Sequence, residues 1–211
     1  MSRQTVFLAG YLMLAASVLG IGAVGWSNGT GLRAGAAALV LALLITLYNR
    51  RHKDNPLGPL VMGLCRVFVY VSAALCVTES TPAALWIGAA LLLCHLIGLT
   101  FMAKHELRAR MEDIWPTVVL LIPLVYSVTF VLREPVAVIF WIALAGALYV
   151  ALRAVKRRAS GDVGFAVATL IAAISLIDAL LIAAQGRAGL SVLAFLGFPL
   201  TLTLQRFVKG T

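Results

Sequence analysis

The chain has 211 residues, of which 62% are hydrophobic and only 12% charged, and its mean hydropathy is +1.02. A soluble domain holds about half apolar residues, so this composition excludes one and predicts an integral membrane protein. The formal net charge of +9 would suggest nucleic acid in a soluble protein, but the basic residues lie in short loops between apolar runs, where membrane topology accounts for them.

Eight apolar stretches follow one another, at about residues 6–25, 32–49, 59–78, 83–103, 114–132, 135–153, 163–184 and 188–206. Each comes near the ~20 residues that cross a ~30 Å hydrocarbon core. They predict an all-α, polytopic transmembrane helix bundle of about eight helices, forming a single transmembrane domain over 1–211. In the first stretch Arg3 precedes an apolar run that ends in small residues, as in a signal peptide; it is expected to be retained as a span. The first two spans are rich in small residues, with GIGAVG at Gly20–Gly25 and a Gly31–Ala38 run. Such residues let helices approach closely where packing drives association.

Between the second and third stretches runs YNRRHKDNPLGPLVMGLCR, Tyr48 to Arg66. Arg50, Arg51, His52 and Lys53 make a basic turn, and Gly58 and Pro59 open the next helix, where the first turn tolerates a residue without an N–H. Arg66 follows seven residues after Pro59, roughly 10 Å along the axis. An ionisable residue at that depth is a functional candidate. Met62, Arg66 and Tyr70 share one helical face, and Lys53 with the helix N-terminus lies at its mouth. Converging cations at a helix N-terminus suit an anion such as a diphosphate. The alternative is that Arg66 snorkels to the interface or bonds a carbonyl.

Farther on, His95 is a lone histidine among leucines, read as an interhelical hydrogen-bond partner rather than a ligand. Glu106, in the run KHELRARMED, belongs either to a solvated face or to a metal or substrate site. Asp178 reads as a structural residue, paired with Gln185 or a facing hydroxyl. Cys65, Cys76 and Cys94 fit no metal spacing and read as small buried hydrophobes. Thirteen of the seventeen Lys and Arg residues fall at one set of span ends, from Arg3 through Arg50, Lys104 and Arg153 to Lys209. Arg33, Arg133 and Arg187 fall at the other, and Arg66 lies within a span. Both termini are therefore expected in the cytoplasm, with the chain in the cytoplasmic (inner) membrane.

The segment LYNRRHKDNPLGPLVMGLCR resembles the fourth and fifth helices of the UbiA prenyltransferase superfamily. Its nearest likeness is to the EboC-like branch, whose GP-x-x-MG-x-CR run matches Gly58, Pro59, Met62, Gly63, Cys65 and Arg66. IGLTFMAKHEL looks like that branch's segment after the sixth helix, with Thr100 and Glu106 in matching places, and the end from Asp178 to FVKGT resembles its last two helices.

The resemblance implies a UbiA-like bundle whose central cavity opens to the cytoplasm and binds an isoprenyl diphosphate through Mg2+, transferring the prenyl group to a lipophilic acceptor. It implies substrate-binding roles for Tyr48, Lys53, Met62, Arg66 and Tyr70 and a metal role for Glu106. The chain departs from the family in its acidic motifs. Aligned by the Tyr48 stretch, Met1 falls near the family's third helix, so the helices carrying the first, NDxxDxxxD motif have no counterpart here. The second motif is reduced to Glu106, with Glu112 and Asp113 farther along, while Asn49 and Val69 stand where the branch tends to carry aspartate and asparagine. Two functions follow as expectations. One is a prenyltransferase relative, or the larger part of one, that is inactive as this chain alone and is completed by another chain, a partner membrane subunit, or by the N-terminal helices that carry the first motif. The other is a non-catalytic structural subunit of a membrane complex that binds a lipid or pigment. A transporter is a weaker third reading, since no inverted repeat or broken-helix pair is legible.

Overall fold

The computed structural model describes residues 3–51, 57–104, 114–157, 159 and 161–207. Among them every regular element is a helix: α1 Arg3–Ser27, α2 Arg33–Arg51, α3 Gly58–Leu75, α4 Ala83–Lys104, α5 Trp115–Tyr126, α6 Val128–Val131, α7 Ala137–Arg157, α8 Asp162–Ala172, α9 Ile174–Ala183 and α10 Ala188–Phe207. The pairs α5–α6 and α8–α9 are each one rod interrupted at a single residue, so the ten helices form eight rods. Seven rods are long and apolar enough to cross a membrane, as expected of an integral membrane protein; the eighth, Trp115–Val131, is shorter.

The helix ends follow from local chemistry. After α1, Gly29 at φ 82° lets Thr30 N–H bond Gly25 O at 2.9 Å, and after α9, Gly186 at φ 70° lets Arg187 N–H reach Ile182 O at 3.4 Å. Both are Schellman closures, in which a left-handed residue turns the chain back over its last carbonyls. Pro59 and Pro116 sit in the first turns of α3 and α5, where no ladder donor is needed.

The chain divides into two compact units, Met1–Leu93 and Cys94–Thr211. In the first, α1 packs on α2 and α2 on α3. A Cβ added to Gly35 would meet the Cα of Gly22 at 3.3 Å, and one on Gly25 the Cβ of Ala34 at 2.6 Å, so α1 and α2 touch backbone to backbone. Val67 and Val71 of α3 pack with Ala37 and Ala89, flanked by Phe68, Tyr70 and Leu93. Asn28 Nδ2–H donates to Cys76 O at 2.8 Å and Arg33 Nη1–H to Glu79 O at 3.0 Å. These bonds place the α1–α2 turn and the α3–α4 loop at the same end of the unit.

In the second unit α7 is central and packs on α8 and α9, while α10 covers α9. Leu120, Phe140, Leu144, Leu148, Leu170, Leu176 and Leu180 form its core. Gly98 of α4 lies directly against α5: a Cβ there would come within 2.7 Å of the Cβ of Leu120 and 2.9 Å of the Pro116 carbonyl. Leu19, Leu39, Ile139, Leu193 and many other large apolar side chains remain exposed. In a membrane these faces meet acyl chains, and association rests on close packing instead of expulsion of water.

Candidate functional site

The α2–α3 hairpin brings together part of the set anticipated from the sequence. Tyr48 lies near the end of α2 and Met62 just inside α3, and the Tyr48 hydroxyl donates to the Met62 sulfur at 3.8 Å. One turn farther along α3, Arg66 is exposed, with exposed Val69 and Ala73 on the same side. The opposite side buries Val61, Gly63, Val67 and Val71. Arg66 therefore occupies the open face of its helix, and among the described residues it makes no hydrogen bond or ion pair. Tyr70 is half-buried and packs against the Val67–Val71 core, so it serves the interior of the first unit. Lys53 lies outside the described residues, as do Glu106, Glu112 and Asp113.

Arg66 is eight residues from Gly58 and nine from Leu75, about 12–14 Å from either end of the helix at 1.5 Å per residue. Side chains on a helix lean toward its N-terminus. At the Gly58 end Leu57 makes no side-chain cap to the first N–H groups. A cation on the same helix as a start that Leu57 leaves without a side-chain cap is chemistry for an anionic headgroup.

His95 is fully buried in α4, and its Nε2–H donates to Leu170 O at 2.9 Å. It is an interhelical hydrogen-bond partner, as the sequence reading anticipated. Its Nδ1 has no hydrogen-bond partner among the described residues. Thr100 Oγ1–H donates to Leu96 O of its own helix at 2.7 Å. Asp178 is half-buried on α9. Cys65, Cys76 and Cys94 are free and half-buried. Among the described residues no group of three His, Cys, Asp or Glu side chains that could hold a metal ion is found.

A scan of family models and searches of curated proteins and of solved structures find no match to this chain.

The sequence reading missed Asp162. Its carboxylate accepts from Arg157 Nε–H at 2.8 Å and Nη2–H at 2.5 Å, and from Ala159 N–H at 2.9 Å. A bidentate guanidinium pair of this kind is directional as well as attractive, and here it closes the α7–α8 turn. The signal in the sequence was an aspartate at a helix start five residues after an arginine, which the general run of loop charges concealed.

Proposed function

We propose that the chain is a UbiA-like integral membrane protein that binds an isoprenyl diphosphate or a related lipid phosphate and does not by itself transfer the prenyl group. The observation that carries this reading is Arg66, midway along an apolar helix, exposed and without a protein counter-charge among the described residues. A guanidinium facing hydrocarbon costs at least ~2.5 kcal/mol on insertion scales. An anionic headgroup drawn to the open face of α3 removes that cost. The hydroxyl of Tyr48 and the sulfur of Met62 border the same face, giving polar and polarizable neighbours to a phosphate and its allylic chain.

The reading as non-catalytic rests on the acidic residues of the sequence. Departure of diphosphate needs its developing charge neutralised, and magnesium in such sites is held by carboxylates together with phosphate oxygens. The second acidic motif is reduced mainly to Glu106. Arg66 and Lys53 can bind a diphosphate without replacing the metal ions. Any activity then depends on another chain or on helices that supply the first acidic motif; alternatively, the chain serves a membrane complex as a structural, lipid- or pigment-binding subunit.

The test takes the purified chain with prenyl diphosphates of several lengths, magnesium and a panel of aromatic acceptors. Binding without diphosphate release is expected, and Arg66→Leu should weaken that binding by about 10- to 100-fold, the worth of one charge-assisted hydrogen bond. Metal-dependent diphosphate release abolished by Glu106→Gln would replace the non-catalytic reading with an enzyme. Equal binding by Arg66→Leu would leave Arg66 a structural residue.

A further inference from the structure

Two of the eight rods are interrupted, and the two interruptions share a construction. The last ladder bond of α8 runs from Ala173 N–H to Thr169 O at 2.9 Å. A helix that ends there lapses at the next bond, from Ile174 N–H to Leu170 O. Leu170 O is the carbonyl that His95 Nε2–H holds from α4 at 2.9 Å. In the other rod the last ladder bond of α5 runs from Ser127 N–H to Pro123 O at 3.0 Å, so the lapse falls on Leu124 O. That carbonyl accepts Trp141 Nε1–H from α7 at 3.0 Å, together with Ser127 Oγ–H at 3.0 Å. In each case a ring N–H from a neighbouring helix takes the carbonyl whose own ladder donor is lost.

The rods differ in what else interrupts them. Pro123 lies inside α5 and removes the ladder bond to Val119 O, one turn before the stop at Ser127. Between Phe165 and Ala184 there is neither proline nor glycine, so neither of those helix breakers accounts for the stop at Ala173. A side chain entering the ladder is a recognised cause of a helix break. His95 also leaves its second nitrogen, Nδ1, buried without a partner among the described residues, an arrangement that costs free energy. It is retained where the surrounding packing fixes the ring.

We infer that His95 is the positioning residue of a hinge at Ala173. Leu170 O has two competing donors, His95 Nε2–H in the interrupted rod and Ile174 N–H in a continuous one, and His95 sets the balance toward interruption. The α8–α9 rod is thereby a two-state element inside the second unit, with a backbone carbonyl changing donors between its states. This inference is independent of the ligand proposed for Arg66.

The experiment is nuclear magnetic resonance of the full chain in lipid nanodiscs, with amide exchange followed at Ile174 and the ring nitrogens of His95 observed directly. In the wild type the ring should show its proton on Nε2 and a bare Nδ1, and Ile174 should exchange faster than the flanking amides. His95→Phe removes the ring donor, and Ile174 exchange should slow about tenfold as it regains Leu170 O, since one net hydrogen bond is worth about that factor. His95→Gln, which keeps an N–H donor of similar reach, should retain the fast exchange of the wild type. Unchanged Ile174 exchange in His95→Phe overturns the inference. If that variant does not fold, a wild-type ring protonated on Nδ1 alone overturns it equally, because Nε2 would then have nothing to donate.

Discussion

At the scale of single residues, what a side chain touches decides more than its type. Arg66 and Arg157 are both exposed arginines, yet Arg157 is clamped by the two carboxylate oxygens of Asp162 while Arg66 stands alone among the described residues. The glycines divide in the same way. A methyl group at Gly98 would strike the backbone and Cβ of Leu120 and the carbonyl of Pro116, at 2.7–3.0 Å. None of these atoms can yield without shifting α5. At Gly63 the first obstacle is Leu93 Cδ1, the far end of a flexible side chain. Gly98→Ala should therefore destabilise by about 1–3 kcal/mol, the range for overpacking, and Gly63→Ala by clearly less. Thermal unfolding of the two variants in the same detergent checks the order, and a larger loss for Gly63→Ala would contradict the packing described.

At the scale of elements, the α1–α2 hairpin rests on small residues. Gly22 meets Gly35, Gly25 meets Ala34, and the outer side of α1 exposes Leu8, Leu12, Met13 and Leu19. Packing of this kind is available only while both helices lack bulk at the crossing. Gly35→Leu should push α1 away from α2. Cys76 provides a native reporter, because its thiol lies 3.9 Å from Ile21 O of α1 and is half-buried. In a chain whose other cysteines are replaced by alanine, Gly35→Leu should make Cys76 react with a maleimide several-fold faster, since thiol reactivity follows access. An unchanged rate would mean that α1 is held by other contacts. The α7–α8 turn has a different basis, closed by one directed ion pair in place of close backbone packing.

For the whole molecule the question is how many rods cross the membrane. The Trp115–Val131 rod has 17 residues, about 25 Å of helix against a ~30 Å core. A span this short crosses by local thinning of the bilayer or by snorkelling of its flanks. Five rods separate the α1–α2 turn from the α7–α8 turn, counting α5–α6 as one. If all five cross, cysteines replacing Leu32 and Ala159, both exposed, should be labelled by an impermeant reagent from opposite sides of the membrane. The excess of basic residues near the second turn predicts that Ala159→Cys is the cytoplasmic one. Labelling of both from one side would mean that the short rod enters and leaves by the same face, and that the termini lie on opposite sides.

The spans were legible in the sequence because a bilayer selects uninterrupted apolar length, a property of each stretch by itself. Thus 83–103 became Ala83–Lys104 and 188–206 became Ala188–Phe207 with little change. The close approach of α1 and α2 was legible too, since glycine-rich faces have few other uses in a span. That Met62 and Arg66 share a face of α3 was legible from helical spacing, whereas the contact of Tyr48 with Met62 was not. His95 could be recognised as a hydrogen-bonding residue, because an imidazole among leucines must find a partner. The identity of that partner, the carbonyl of Leu170, was decided only by tertiary packing, and so was the stop at Ala173. Apolar periodicity carries no information about which carbonyl on which helix a buried ring N–H will meet. That depends on how rods distant in the chain are rotated and shifted against one another, and the structure fixes it through many small packing contacts at once.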